Sequence, residues 1–391
     1  MILFYIIIAL FSWLGAVYYF YVSNHHFRVI FLKSSEFSQP MQDVQILHEQ
    51  PYPSMARRDD LERLLDTIPQ VEHDNPARPE WPPAPQREID LATYGCGAII
   101  VQDESVNPTG THKARSAHET GPVWHRGWAE RMWLSGVDVT PFPTMSIITT
   151  GNAGAAIAQA HQQYGLPPIR CLMDRATPAS NTDRLIGLGA SVYLTDLSVG
   201  VLAADDILAM TSNREGLDLT SARIVDRQRT FYDWLAHESF NHFADAKNGC
   251  HILLPYGSGD LFANLLYWQA ENLRHGPDPR LQIPLSTLAS INIMAAQPGS
   301  PASAARYLTG CKPFEYFASN DIDGAIRAGL TGSRTGIYAV DEQEIAHGAQ
   351  TLAQFMRTSE SGAAGVALYM ALWEQQAFVR HDDILAINTG G

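Results

Sequence analysis

The first 22 residues, MILFYIIIALFSWLGAVYYFYV, carry no charged side chain. At 1.5 Å rise per residue, a helix of that length is about 33 Å long, enough to cross the hydrocarbon core of a bilayer. The pattern predicts one transmembrane helix over residues 1–22. Trp13, Tyr18, Tyr19 and Tyr21 suit an interfacial belt, and the first cations, Arg28 and Lys33, lie on the C-terminal side, which places the body of the chain in the cytoplasm. A cleaved signal peptide is the rival reading, but no basic segment precedes the apolar run and no small-x-small site follows it. From Ser23 to Arg87 the pattern is irregular, with prolines from Pro51 to Pro85 around one short helical candidate at Asp59–Thr67. This predicts a tether and a surface-draped arm over 23–87. Beyond it, apolar runs of strand length alternate with helix-like segments. CGAIIVQ precedes a helix near Lys113, MSIITT precedes AGAAIAQAHQQYG, and IRCLMD precedes a helix around Ser180–Leu188. SVYLTD, CHILLPY, SINIMAA and ILAIN continue the series. Runs that are apolar on both faces and separated by helices predict a mostly parallel sheet covered on both sides, hence an α/β domain over 88–391.

Composition narrows the class. Acidic residues outnumber basic ones, 41 to 27, and no run of Lys or Arg is present to follow a phosphate backbone, which argues against nucleic acid as a partner. Cys96, Cys171, Cys250 and Cys311 are scattered without a C-x-x-C pair, so neither a zinc knot nor a disulfide framework is expected and a reducing compartment fits best. His25 and His26 are adjacent and project in different directions on regular structure, while His161, His237, His242 and His251 lack companions at metal-ligand spacing; no metal site is expected.

Four loops rich in Gly, Ser, Thr and Asn follow predicted strands: NPTGTHK after Ala98–Val101, TTGNAG after Met145–Ile148, GSGD after Ile252–Tyr256, and NTGG after Ile384–Ile387. In parallel sheets such loops lead from strand ends into helix N-termini, where free N–H groups and the helix dipole attract anions. Taken singly, each has an ordinary reading. Lys113 alone is a solvated helix lysine, and Thr149–Gly154 alone is an N-capped turn. The segment Gly110–Lys113 is not a nucleotide P-loop, because G-x-x-x-x-G-K-S/T is absent.

In their order and wording the four loops resemble the tryptophan-synthase-β-like superfamily, the fold type II pyridoxal-phosphate enzymes, over about residues 90–391. Cysteine synthases, threonine synthases, serine and threonine dehydratases and tryptophan synthase β subunits belong to it. The resemblance implies two three-layer α/β/α subdomains with mostly parallel sheets, the smaller at about 130–225 inserted in the larger, and pyridoxal 5'-phosphate as cofactor. Asn107–Lys113 matches the family's N-P-x-G-S/T-x-K, which implies that Lys113 carries the cofactor as a Schiff base and moves the substrate's α-proton. Such a role needs a neutral amine, and burial beside a cofactor lowers a lysine pKa. His112 is implied beside the cofactor phosphate. Thr149–Gly154 resembles the loop that grips a substrate carboxylate, with Thr150, Gly151 and Ala153 at the carboxylate and Asn152 on the cofactor's 3′-oxygen. Gly257, Ser258 and Gly259 stand where the family cradles the phosphate, although Asp260 follows where another glycine is more usual. Thr389 matches the hydroxyl set against the pyridine nitrogen, and Glu360–Gly365 resembles a small-residue element that opens a helix behind the ring.

The expected activity is therefore that of a lyase or synthase on a small L-amino acid, by α-proton abstraction and β- or γ-elimination or replacement. T-H-K leans towards tryptophan synthase β and N-P-T-G towards threonine or cysteine synthases, and the sequence does not separate these reactions. Asp260 and the anchor favour a second reading, a membrane-tethered homologue that binds the cofactor or an amino acid without turnover. By resemblance the protein is expected to be a homodimer.

Overall fold

In the centre of the molecule, strands that read as continuous apolar runs lie flat between helices. The computed structural model describes residues 43–69, 81–197, 202–220, 232–257, 259–299, 319–379 and 381–391. The span expected at 1–22 and the candidate Ser258 lie outside the described residues. Among the described residues, no helix is long and apolar enough to cross a membrane.

Among the described residues, thirteen strands form three sheets. The larger sheet takes β3 (Gln86–Asp90), β4 (Ala98–Asp103), β10 (Cys250–Pro255), β11 (Asn292–Pro298), β12 (Gly336–Val340) and β13 (Asp383–Asn388), in the order β12-β11-β10-β13-β4-β3. Only β3–β4 is antiparallel. Ile252, Leu253, Ile293, Met294 and Leu385 are fully buried, as expected for strands covered on both faces. The smaller sheet takes β1 (Gln45–His48), β6 (Met145–Ile148), β7 (Arg170–Asp174), β8 (Ser191–Thr195) and β9 (Leu217–Asp218), in the order β1-β8-β7-β6-β9, with only β1–β8 antiparallel. A short ribbon pairs β2 (Met55–Arg57) with β5 (Val139–Pro141). The mixed α/β expectation holds.

The stretch read as a draped arm is instead built into the body. It gives β1 to the smaller sheet, β2 to the ribbon and the first two residues of β3 to the larger sheet. Between them α1 (Arg58–Thr67) turns Leu61 and Leu64, with Ile68 beyond its end, into a cluster with Trp128, Phe142 and Tyr164. Prolines break the periodic signal on either side of this helix, yet its apolar residues at i, i+3 and i+7 still form one stripe.

Five further helices start at strand ends or back the larger sheet. They are α2 (Lys113–His118), α3 (Asn152–Tyr164), α4 (Ala179–Gly187), α6 (Asp260–His275) and α8 (Glu360–Glu374); α5 (Asp233–Asn241) and α7 (Glu342–Leu352) complete the elements used below. Helix α8 lies directly on the strands because its first turns are small. A Cβ built at Gly365 would sit 2.8 Å from the carbonyl oxygen of Leu253, and one at Gly362 would sit 2.5 Å from that of Gly390.

Candidate active site

The four loops meet at one place. Gly110 sits at the tip of the first loop with φ +74, a left-handed conformation that glycine adopts freely. Its carbonyl accepts from Gly391 N–H at 3.2 Å, and two residues on, His112 N–H donates to Thr389 O at 3.1 Å. Thr111 and Gly390 form an isolated antiparallel bridge. The first and last loops are thus zipped together along their backbones. Ser359, the N-cap of α8, ties them to the Glu360–Gly365 element by donating to Gly390 O at 2.8 Å. The second loop joins through Arg184, which donates to Thr109 O at 3.2 Å and to Asn152 Oδ1 at 3.1 Å. The third joins through Asp260, whose Oδ2 is 3.6 Å from Lys113 Nζ.

Lys113 opens α2 with its side chain 18% exposed. It donates to Tyr232 Oη at 3.0 Å, and Tyr232 Oη donates on to Ser116 Oγ at 3.3 Å. Tyr232 is almost fully buried and stacks on His112, with centroids 5.4 Å apart. Burial by itself pushes the Lys113 amine down, but the neighbouring Tyr232 oxygen and Asp260 carboxylate outweigh it and hold the amine above its ordinary value. Burial therefore acts on this amine in the expected direction, and Tyr232 first, then Asp260, outweigh it. His112 goes the other way: burial first, then the charge on Lys113, keeps its imidazole well below the usual range and hence neutral. Its Nδ1 lies 3.3 Å from Thr389 O.

At the second loop, Gly151 has φ +143, and its N–H is taken by Thr149 Oγ1 at 3.0 Å. Thr149 Oγ1 also receives Gly154 N–H at 3.2 Å, and the Thr150 carbonyl receives Asn181 Nδ2 at 2.9 Å. What this helix start offers a carboxylate is its first-turn N–H groups at Asn152 and Ala153. The Asn152 amide oxygen is engaged by Arg184. At the third loop, Gly259 has φ +84 and caps the sixteen-residue α6. A Cβ at Gly257 would meet nothing within 4 Å, whereas one at Gly259 would press on the Tyr256 hydroxyl at 3.0 Å.

This donor set suits pyridoxal phosphate. An amine for its carbonyl, a glycine turn with free helix N–H groups for its phosphate, and a neutral threonine hydroxyl at a strand end for its ring nitrogen lie within one loop cluster. Only Asp260 stands against the phosphate.

Several residues escaped sequence reasoning. Tyr232 lies in FYDW, which matches no motif. Arg115, two residues after the lysine, is buried at 3% exposure between Glu104, at 0%, and Glu238. It holds Glu104 at 2.7 and 3.0 Å and Glu238 at 2.7 Å, while Gln102 and Asn107 satisfy the remaining Glu104 lone pairs at 2.9 and 2.6 Å. Pairing of Arg115 with Glu238 across 123 residues is not visible in a linear pattern.

No curated protein matches the chain. Among solved structures, the fold is similar to that of the Escherichia coli diaminopropionate ammonia lyase, at 17% identity and TM-score 0.56 over 90% of this chain and 94% of that one. It is also similar to a hydrogen sulfide-producing enzyme from Fusobacterium nucleatum, at 15% identity and TM-score 0.57 over 84% and 97%. Maize serine racemase follows at 16% identity and TM-score 0.53 over 86% and 95%. The profile of the family described as pyridoxal-phosphate dependent enzyme matches residues 83–390. The chain belongs to the pyridoxal-phosphate dependent enzymes, and pyridoxal phosphate is its cofactor.

Proposed function

We propose that the protein is a lyase or synthase that takes a small L-amino acid through loss of its α-proton and elimination or replacement at the β- or γ-carbon. One observation carries the proposal: the Lys113 amine lies where all four loops converge, reached by the first residue of the glycine-capped helix α6. Pyridoxal phosphate, when bound, supplies a carbonyl for an amine and a ring that accepts electron density. The chain supplies the rest. The first-turn N–H groups of α3 hold the substrate carboxylate, and Gly257, Gly259 and the α6 N-terminus hold the phosphate. Held protonated above its ordinary value, Nζ of Lys113 first passes a proton along Tyr232 Oη to Ser116 Oγ, and the neutral amine then takes the α-proton. Thr389 faces the ring nitrogen with a neutral group. Ammonia lyase, hydrogen sulfide-producing and racemase neighbours share this fold, in keeping with a cofactor whose outcome is set by groups around it.

The test uses the scarcity of lysines. The chain has four, Lys33, Lys113, Lys247 and Lys312, and Lys247 is exposed. Borohydride fixes pyridoxal phosphate to whichever lysine it has joined, and peptide mapping should find it on Lys113, with loss of turnover and of yellow colour in Lys113→Ala. A fixed cofactor on another lysine, or none, sinks the assignment. An amino-acid panel read by product mass then identifies the reaction.

The Asp260–Lys113 pair favours a second reading, binding without turnover, since a carboxylate occupies the approach to the phosphate cradle. Colour without any spectral response to amino acids would select it. By resemblance we place the protein as a homodimer. We further propose, from the apolar run alone, that residues 1–22 anchor it with the catalytic body in the cytoplasm. Fractionation of a form lacking 1–22 tests this, and its retention in membranes would refute the anchor.

A further inference from the structure

Beside the Asn107–Gly110 turn lies a cavity of about 460 Å³ walled by that turn, Ser105, Gln159, Arg184, Gly187, Leu188 and Arg357. Lys113 is not part of its wall. Its size falls within the roughly 300–1,000 Å³ typical of small-molecule sites. Among the described residues no Asp or Glu lines it, in a chain where acids outnumber bases 41 to 27. Asp183, next to Arg184, is exposed, and the two acids before Ser105 are held elsewhere. Asp103 accepts from Ser105 Oγ at 2.5 Å and Asn388 Nδ2 at 3.0 Å, and Glu104 is locked to Arg115.

Both arginines are exposed, and neither has a carboxylate partner among the described residues. There Arg184 donates to two neutral oxygens, Thr109 O and Asn152 Oδ1. The Arg357 guanidinium lies against the backbone of Gly110, where a built Cβ would come within 3.2 Å of Nη1. Arg184 belongs to α4, after a strand of the smaller sheet, whereas Arg357 precedes α8 on the larger one. A guanidinium fork matches a carboxylate or phosphate edge with two parallel N–H bonds.

We propose that this cavity binds a small oxyanion, a carboxylate or a phosphate, clamped between Arg184 and Arg357 as an effector that bridges α4 and the start of α8 beside the Asn107–Gly110 turn. Lys113 does not line the cavity, and the ligand reaches the cofactor loops through Arg184, which holds Asn152 Oδ1 and Thr109 O. Its presence stiffens the loop three residues before the lysine and draws α4 towards α8.

The test is calorimetric titration and thermal melting of the full chain loaded with pyridoxal phosphate, using inorganic phosphate and succinate separately at constant ionic strength. At least one should bind saturably and raise Tm, and the one that binds identifies the chemistry. Arg357→Gln should weaken it by about tenfold or more, as expected for loss of one charge-assisted pair. Arg357→Lys should recover part of that loss, and R184Q/R357Q should abolish binding while keeping the circular dichroism of the parent. If the double variant does not fold, the two Arg357 variants decide. The proposal is overturned if neither anion binds at millimolar concentration, or if both Arg357 variants bind as tightly as the parent. Should the protein take up no cofactor, the same titrations on the cofactor-free chain test this site independently of the catalytic assignment.

Discussion

Replacing Arg115 with methionine should be among the costliest single changes available in this chain, and restoring charge balance should repair it. The reasoning rests on burial. Glu104 is at 0% and Arg115 at 3% exposure, so neither ion has water to fall back on. Arg115→Met removes two contacts, at 2.7 and 3.0 Å, and leaves the Glu104 carboxylate with only the Gln102 and Asn107 amides. Breaking one side of a buried pair costs about 3–5 kcal/mol, because the survivor is an uncompensated buried charge. At about 2–4 °C per kcal/mol for large domains, that is a fall in Tm of roughly 6–20 °C. Glu104→Gln added to Arg115→Met removes the stranded charge and keeps the amide contacts, so the double variant should recover most of the loss; Glu238, at 15% exposure, can turn to solvent. Denaturant unfolding of the parent, both single variants and the double variant gives the coupling energy directly. A cost below about 1 kcal/mol for Arg115→Met, or a double variant no more stable than the single, would refute the account of a charge held in a dry site. Since α2 begins at Lys113, Arg115→Met should also slow capture of pyridoxal phosphate by this lysine.

Further outcomes follow from the same geometry. Tyr232→Phe removes the oxygen that helps hold the Lys113 amine above its ordinary pKa, so the pH profile of cofactor capture should move to lower pH; an unmoved profile would exclude Tyr232 as a partner of Nζ. Burial raises the Asp233 carboxyl to about 7, against 3.8 in an open chain. Because the folded state then holds the proton more tightly, this group's stability contribution is complete below about pH 4 and is lost as pH rises to 7, so Asp233→Asn should flatten that part of the melting-temperature curve; an unchanged slope refutes it. Gly365→Ala drives a methyl to within 2.8 Å of the Leu253 carbonyl and should cost about 1–3 kcal/mol in denaturant unfolding, with a neutral result excluding close helix–sheet contact.

The larger architecture was legible because its strands are buried on both faces. CHILLPY and ILAIN carry no polar alternation, which only a covered parallel sheet explains, and the loops after them carry the glycines and hydroxyls that helix starts require. The order of those loops also gave the cofactor. Three things stayed hidden for physical reasons. The arm's three short strands fall below the length at which alternation rises above noise. The Lys113 pKa depends on Tyr232 and on Asp260, 147 positions later in the chain, and in the linear sequence Asp260 shows only as a departure from the glycine usual at its place. Tyr232 and the Glu104–Arg115–Glu238 triad owe their partners to tertiary approach, which no local propensity encodes.

The arm has a consequence in time as well as in space. Strand β1 pairs Gln45 with Leu194, so the first described strand to leave the ribosome must wait about 150 residues for its partner. At about 5–20 residues per second that is roughly 8 to 30 s of synthesis during which QILH has no edge to join. β3, by contrast, meets β4 within a hairpin, with Asp90 opposite Ala98, and closes the larger sheet's edge almost at once. The smaller sheet therefore finishes late, by recruitment of a segment made long before. Anything that occupies that segment early, such as a chaperone, governs when the last edge is sealed.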